Sequence, residues 1–125
     1  MPISTQANQT PVPPSRTWTL VRGKDSGLVA DGPGKSIQVG EALLFAFDFS
    51  RDLTAGSIVS SITSIAVEGA TSEVTFDTAE QGLDRGLVKL HITGASAGSI
   101  RVRATVVYSD GSAVEGDGAL KIVDA

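Results

Sequence analysis

Few residues in this chain have the types and spacing that chemistry needs. Gly34-Lys35-Ser36 has the ending of a phosphate-binding loop. Such a loop cradles phosphate oxygens with backbone N–H groups, and it requires a glycine five residues earlier, a strand before it and a helix after it. Position 29 is Val, and the residues after Lys35 read as a strand, so the phosphate-loop reading fails. His91 is the single histidine. A catalytic triad or a zinc site would have to be built on it with partners from elsewhere. Its neighbours Lys89 and Thr93 place it instead on the polar side of an amphipathic strand, as a solvated side chain. Asp110, Glu115 and Asp117 carry the oxygen ligands that calcium favours, and Asp77, Glu80 and Asp84 form a similar group. Neither group has EF-hand spacing, and neither singles out a carboxylate pair for glycoside hydrolysis. No catalytic, cofactor-binding or metal-ligating residue is expected, and an enzyme is the least expected class.

The remaining candidates are suited to holding a partner protein. Pro11, Pro13 and Pro14 lie in a polar stretch, residues 1–16, that carries four of the chain's five prolines. Such a stretch buries too little apolar surface to fold alone, and proline favours extended backbone. It reads as an arm, either a plain tail or a segment that orders against a neighbouring subunit. Trp18, just after the arm, is either part of the core or an anchor on a partner, since aromatic anchors are enriched at interfaces. Lys89, Arg101 and Arg103 alternate with apolar residues and are expected to face outward as a basic stripe on one sheet, able to meet an acidic partner surface.

These residues need a scaffold, and its centre is the run LLFAFDFSRD at 43–52. Leu43, Phe45, Phe47 and Phe49 recur at a spacing of two, which puts them on one face of a strand. Ala46 and Asp48 fall on the other face. Around this strand the pattern is all-β. Thr17 to Val21 have strand propensity, followed by a Gly-rich connection through residue 34. Residues 36–39 form a short strand, and residues 53–57 a loop. Ile58 and Ile62 have one parity, Ile65 and Val67 the other, which predicts a bulge or break near Ser64. Residues 73–77 give a short strand, and residues 78–86 a loop or a helical turn. Val88, Leu90 and Ile92 alternate with polar residues, as do Ile100, Val102, Ala104, Val106 and Tyr108. Asp110-Gly111 is the strongest hairpin signal. A last strand at 113–123 buries Leu120 and Ile122 and is weakened by Gly116 and Gly118. About seven short strands separated by turns predict an immunoglobulin-like β-sandwich at 35–125, preceded by the connecting region 17–34 and the arm 1–16. A jelly roll is the rival architecture.

Composition agrees with this scaffold and narrows its partners. The chain has 125 residues, a net charge of −4 and no cysteine, which fits one domain plus an appendage without disulfides. Acids and bases are interspersed, with no basic patch for nucleic acid. No apolar run approaches the roughly 20 residues of a membrane span, and the first residues lack a signal-peptide pattern. Asn8-Gln9-Thr10 matches a glycosylation sequon, which has little meaning without export.

A family resemblance rests on specific runs. Ile37-Gln38-Val39-Gly40-Glu41 opens the domain. Phe47-Asp48-Phe49-Ser50 is followed by Asp52-Leu53 and by Gly56-Ser57-Ile58-Val59-Ser60-Ser61. Ile100-Arg101-Val102-Arg103-Ala104-Thr105-Val106 leads into Ser109-Asp110-Gly111. Across residues 35–123 the chain resembles the immunoglobulin-like domain of tailed-bacteriophage virion proteins, especially the fibre–tail adaptor group; the first 34 residues are not covered. The resemblance implies a non-enzymatic structural protein of the virion, made in the host cytoplasm and joined to other tail, fibre or capsid subunits, with several copies in a symmetric particle. A capsid decoration protein whose arm clamps neighbouring subunits is the alternative. A carbohydrate-binding module is a second alternative, which would call for exposed aromatics, whereas Tyr108 is in phase with the core.

Overall fold

The computed structural model describes residues 3–8, 12–22, 28–32, 34–53, 56–68, 74–76, 79–82 and 86–124. It is all-β and sandwich-like. Eleven strands are described: β1 (Ile3–Asn8), β2 (Thr17–Arg22), β3 (Leu28–Asp31), β4 (Lys35–Gln38), β5 (Ala42–Asp48), β6 (Val59–Glu68), β7 (Val74–Phe76), β8 (Ala79–Gly82), β9 (Leu87–Gly94), β10 (Gly98–Tyr108) and β11 (Ala113–Val123). A 3-10 turn, Pro14–Arg16, precedes β2.

Two layers are set by the ladders. In one, β5 pairs antiparallel with β9, and β7 and β8 add to the far side of β9. In the other, β6, β10 and β11 pair antiparallel in that order, and β4 runs parallel along β11. These are the pairings of an immunoglobulin-type sandwich. Two extra strands join the layers: β2 lies parallel beside β5 and turns back into β3, which is parallel to β11. One continuous ladder therefore wraps the core, in the order β1-β8-β9-β5-β2-β3-β11-β10-β6.

The core is the one expected from the period-two runs, and it takes in Trp18 as well. Phe45, Phe47, Phe49, Val88, Leu90 and Ile92 from the first layer meet Ile100, Val102, Ala104, Val106, Tyr108, Leu120 and Ile122 from the second. Trp18 stacks on Phe45 and Phe47, with centroids 5.2 and 4.7 Å apart. Its indole needs space that β11 supplies by lacking side chains. A Cβ at Gly118 would lie 2.4 Å from Trp18 Cδ2, and one at Gly116 would lie 2.4 Å from Leu20 Cδ1. The two glycines that weaken β11 by propensity are thus what lets β2 dock on it.

Several expectations are refined. The parity switch in β6 is a real irregularity: Thr105 pairs with Ser64 but Val106 with Ile62, leaving Thr63 as the extra residue of a bulge. The region after Gly23, read as loop, contains β3, and the region after residue 77 contains β8. β3 pairs with its neighbour β2 and also with the distant β11, and β8 pairs with its neighbour β9 and also with the distant β1, contacts that four-residue segments without clear alternation do not announce. Ala46, placed on the outer face of β5, is nevertheless fully buried, because β2 and β9 flank it at Thr17 and Lys89.

Candidate interaction surface

The sequence candidates do not gather in one place. Trp18 is fully buried. Its Nε1–H donates to the Ala119 carbonyl at 3.2 Å, so the polar edge that makes tryptophan useful at interfaces is spent inside the fold. An anchor on a partner surface is the wrong role for it. Pro13 and Pro14 are exposed and start the 3-10 turn, while Pro11 lies outside the described residues. The Pro13 carbonyl accepts from the Arg16 N–H at 2.9 Å and from Thr17 Oγ1 at 3.0 Å. This end of the N-terminal segment is therefore tied to the fold. Further back, β1 lies parallel along β8, with Ile3 opposite Ala79 and Asn8 opposite Gly82.

The expected basic stripe is not formed. Lys89 is on β9, in the other layer from Arg101 and Arg103 on β10. It is only 4% exposed, because β9 is a central strand with Ala46 opposite on one side and Glu80 opposite on the other. Alternation correctly assigned its face but could not say that the face is covered. Arg101 is exposed. Arg103 is half-buried amid carboxylates: Nε meets Asp117 Oδ1 at 2.8 Å and Glu115 Oε2 at 3.4 Å, and Nη2 meets Glu68 Oε1 at 2.7 Å. The hydrogen bond to Asp117, then its charge, pushes the guanidinium pKa still higher. This part of the outer face of β6, β10 and β11 holds more negative than positive charge, so it does not offer a partner a cationic face.

The acidic candidates separate as well. Asp110 sits in the β10–β11 turn, where Oδ1 accepts the Ser112 N–H at 2.9 Å, and this bond keeps its carboxyl below the usual range. Glu115 and Asp117 serve Arg103. Asp77 and Asp84 lie outside the described residues, and Glu80 is placed only as a backbone position on β8. Among the described residues no group of three His, Asp or Glu is arranged to hold a metal ion. His91 is exposed on β9. One polar cluster that sequence reading missed lies under the β10–β11 turn: Tyr108 Oη–H donates to Asp52 Oδ2 at 2.8 Å, and Arg22 Nη2 meets the same oxygen at 2.7 Å. Burial, followed by the bond to Asp52 and its charge, raises the Tyr108 pKa well above the ordinary phenol value.

The described residues line two hollows on either side of β4. One, of about 400 Å³, lies between the 3-10 turn and β4 and is lined by Ser15, Arg16, Gly34, Lys35, Ser36 and Leu43. The other, of about 270 Å³, shares Gly34, Lys35 and Ser36 and continues over Ser99, Ile100, Ala119, Leu120 and Lys121. In the sequence Lys35 stands out only as part of the failed phosphate loop. Arg16 and Lys121 gave no signal, since nothing local links positions so far apart in the chain. Each is set beside β4: Lys121 by the parallel ladder that puts it opposite Ser36, and Arg16 by the reach of its Nε to the Leu44 carbonyl at 2.9 Å.

No family model and no curated protein matches the chain. Among solved structures it is similar to the solution structure of Amebosin, at 17% identity over 87% of this chain and 96% of that one, with a TM-score of 0.32. That likeness is too loose to carry a statement about function.

Proposed function

We propose that this chain is a non-enzymatic structural protein of a bacteriophage virion, a tail or tail-fibre adaptor that works by joining other proteins. The observation that carries this reading is the placement of the N-terminal segment. Residues 3–8 are added as an extended edge strand on β8, ahead of the two antiparallel layers that supply the described core. Edge addition uses backbone groups alone, so it lets extended segments join subunits with few sequence demands. The runs at 37–61 and 100–111 that resemble fibre–tail adaptors support the station in the particle. Several copies around a symmetric tail are expected.

The test is to purify particles of the virus that encodes the chain and to find the chain in them. Mass spectrometry should detect it in stoichiometric amount, and electron microscopy with a fused label should place it on the tail. Label spread over the capsid would replace the adaptor with a decoration protein. Absence of the chain from purified particles would refute the virion reading.

A further inference from the structure

We infer that the cationic groove along residues 34–36 of β4 docks an extended acidic peptide segment of a partner protein. The inference does not depend on the virion reading, because it rests on local geometry and charge.

Among the described residues β4 is paired on one side only, with β11. Successive residues of a strand turn their backbone groups to opposite sides. The Val39 N–H donates to the Val123 carbonyl, so residues of that parity face β11 and Ser36 and Gln38 face away. Gln38 is satisfied locally: its N–H donates to Glu41 Oε1 at 2.8 Å, and its carbonyl accepts from the Glu41 N–H at 3.0 Å. This side-chain cap closes one end of the edge. The backbone groups of Ser36 remain on the open edge, where an added strand would find a donor and an acceptor.

The flanks of this edge match a specific kind of strand. Arg16, Lys35 and Lys121 line the two hollows, and no Asp or Glu lines either. In a chain of net charge −4, this is a local reversal of sign. Two of the cations are fixed in place: Arg16 by its bond to the Leu44 carbonyl, and Lys35 by a 3.2 Å bond from Nζ to the Pro14 carbonyl. Each contact uses one N–H, whereas a guanidinium has five and an ammonium three, so donors remain for carboxylates. Leu43 in the first hollow and Ala119 in the second supply a small apolar floor beside the cations. Gly34 adds no side chain to obstruct approach. Open backbone, apolar floor and flanking cations together describe β-strand addition with acidic side chains at alternate positions. A free anion would use the cations but neither the edge nor the floor.

The experiment titrates the isotope-labelled full chain with three probes and follows backbone amide resonances. The probes are a short peptide of alternating Glu and Val, its Lys and Val counterpart, and inorganic phosphate. The acidic peptide should shift Arg16, Lys35 and Ser36, and the basic one should shift none of them. Lys35→Glu with Lys121→Glu should weaken binding by about tenfold or more, as a reversed rim charge does. Arg101→Glu, outside the groove, should leave binding within about twofold. Lys121→Glu alone, at an exposed site, keeps the test valid if the double variant fails to fold. Raising salt from about 0.01 to about 0.15 M should weaken binding as screening tightens from roughly 30 to 8 Å. Equal binding of the basic peptide overturns the proposal. So does phosphate that reproduces the whole shift pattern, which would reduce the groove to a simple anion site. Shifts confined to the Arg103 face would overturn it as well.

Discussion

Gly118→Ala tests whether β11 is glycine-rich to admit the tryptophan. The added Cβ would sit 2.4, 2.5 and 2.7 Å from Trp18 Cδ2, Cε2 and Cγ, where carbon atoms in contact prefer about 3.5–4.0 Å. The indole would have to move by roughly 1 Å, yet it is held by stacking on two phenylalanines and by its bond to Ala119. Overpacking of this kind costs about 1–3 kcal/mol. Leaving the indole N–H buried without its acceptor adds about 1–3 kcal/mol. Replacing glycine within a strand returns about 0.5–1 kcal/mol. The expected net loss is about 2–4 kcal/mol, a fall in Tm of roughly 10 °C for a chain of this size. Gly118 does not take a positive φ, so the loss is steric. Urea denaturation followed by Trp18 fluorescence measures it, and Trp18→Phe in the same background should recover at least about 1 kcal/mol as coupling. A variant within about 0.5 kcal/mol of the parent would refute the reasoning. Gly111→Ala is the contrast: φ is +94° and nothing lies within 4 Å of the new Cβ, so its cost should be purely conformational, about 1–2 kcal/mol.

Three further outcomes follow from the polar contacts and the N-terminal segment. Tyr108 is the only tyrosine, so tyrosinate absorbance reads it directly; its raised pKa means that the native phenol stays protonated beyond the unfolded value of about 10. Its share of stability is then full below about pH 10 and is lost as pH rises from there towards the native value, a decline that Tyr108→Phe should remove. Arg103→Ala leaves Glu68, Glu115 and Asp117 facing one another, so thermal stability should fall at low salt and recover as salt is added; a salt-independent loss would assign the effect to packing. Deleting residues 1–11, short of the Pro13 and Arg16 contacts with the fold, should leave Tm nearly unchanged but impair incorporation into particles. Normal incorporation would make the segment a tail, and failure to fold would make it part of the domain.

What the sequence revealed was whatever repeats within a single strand. The alternation at 100–108 named the buried face of β10, including Tyr108, and the change of parity between Ile62 and Ile65 put a bulge near Ser64, one residue from the Thr63 where it lies. The glycine of Asp110-Gly111 marked the turn, where Gly111 takes a positive φ. What stayed hidden depends on partners far away in the chain. Gly116 and Gly118 look like weak points until Leu20 and Trp18, about a hundred positions earlier, are seen to fill them. Lys89 looks solvated until β8 and β5 close around it. The groove needs Arg16, Lys35 and Lys121 at once, and a period-two pattern carries no information about which strands become neighbours.

The parallel run of β4 along β11 also has a mechanical meaning. Tension that enters ahead of β4 and leaves beyond β11 pulls the two strands past each other along their length. The rungs between Lys35–Gln38 and their partners at 120–123 are then sheared together instead of parting one by one. The antiparallel pair of β10 and β11, gripped at the end where Gly98 faces Ile122, would open like a zip. Handles at Gly34 and Asp124 should therefore need more force to unfold the molecule than handles at Ala97 and Asp124, and equal forces would show that the rungs do not share the load. A link in a chain of proteins built this way is stiff along the line of pull and yields readily across it.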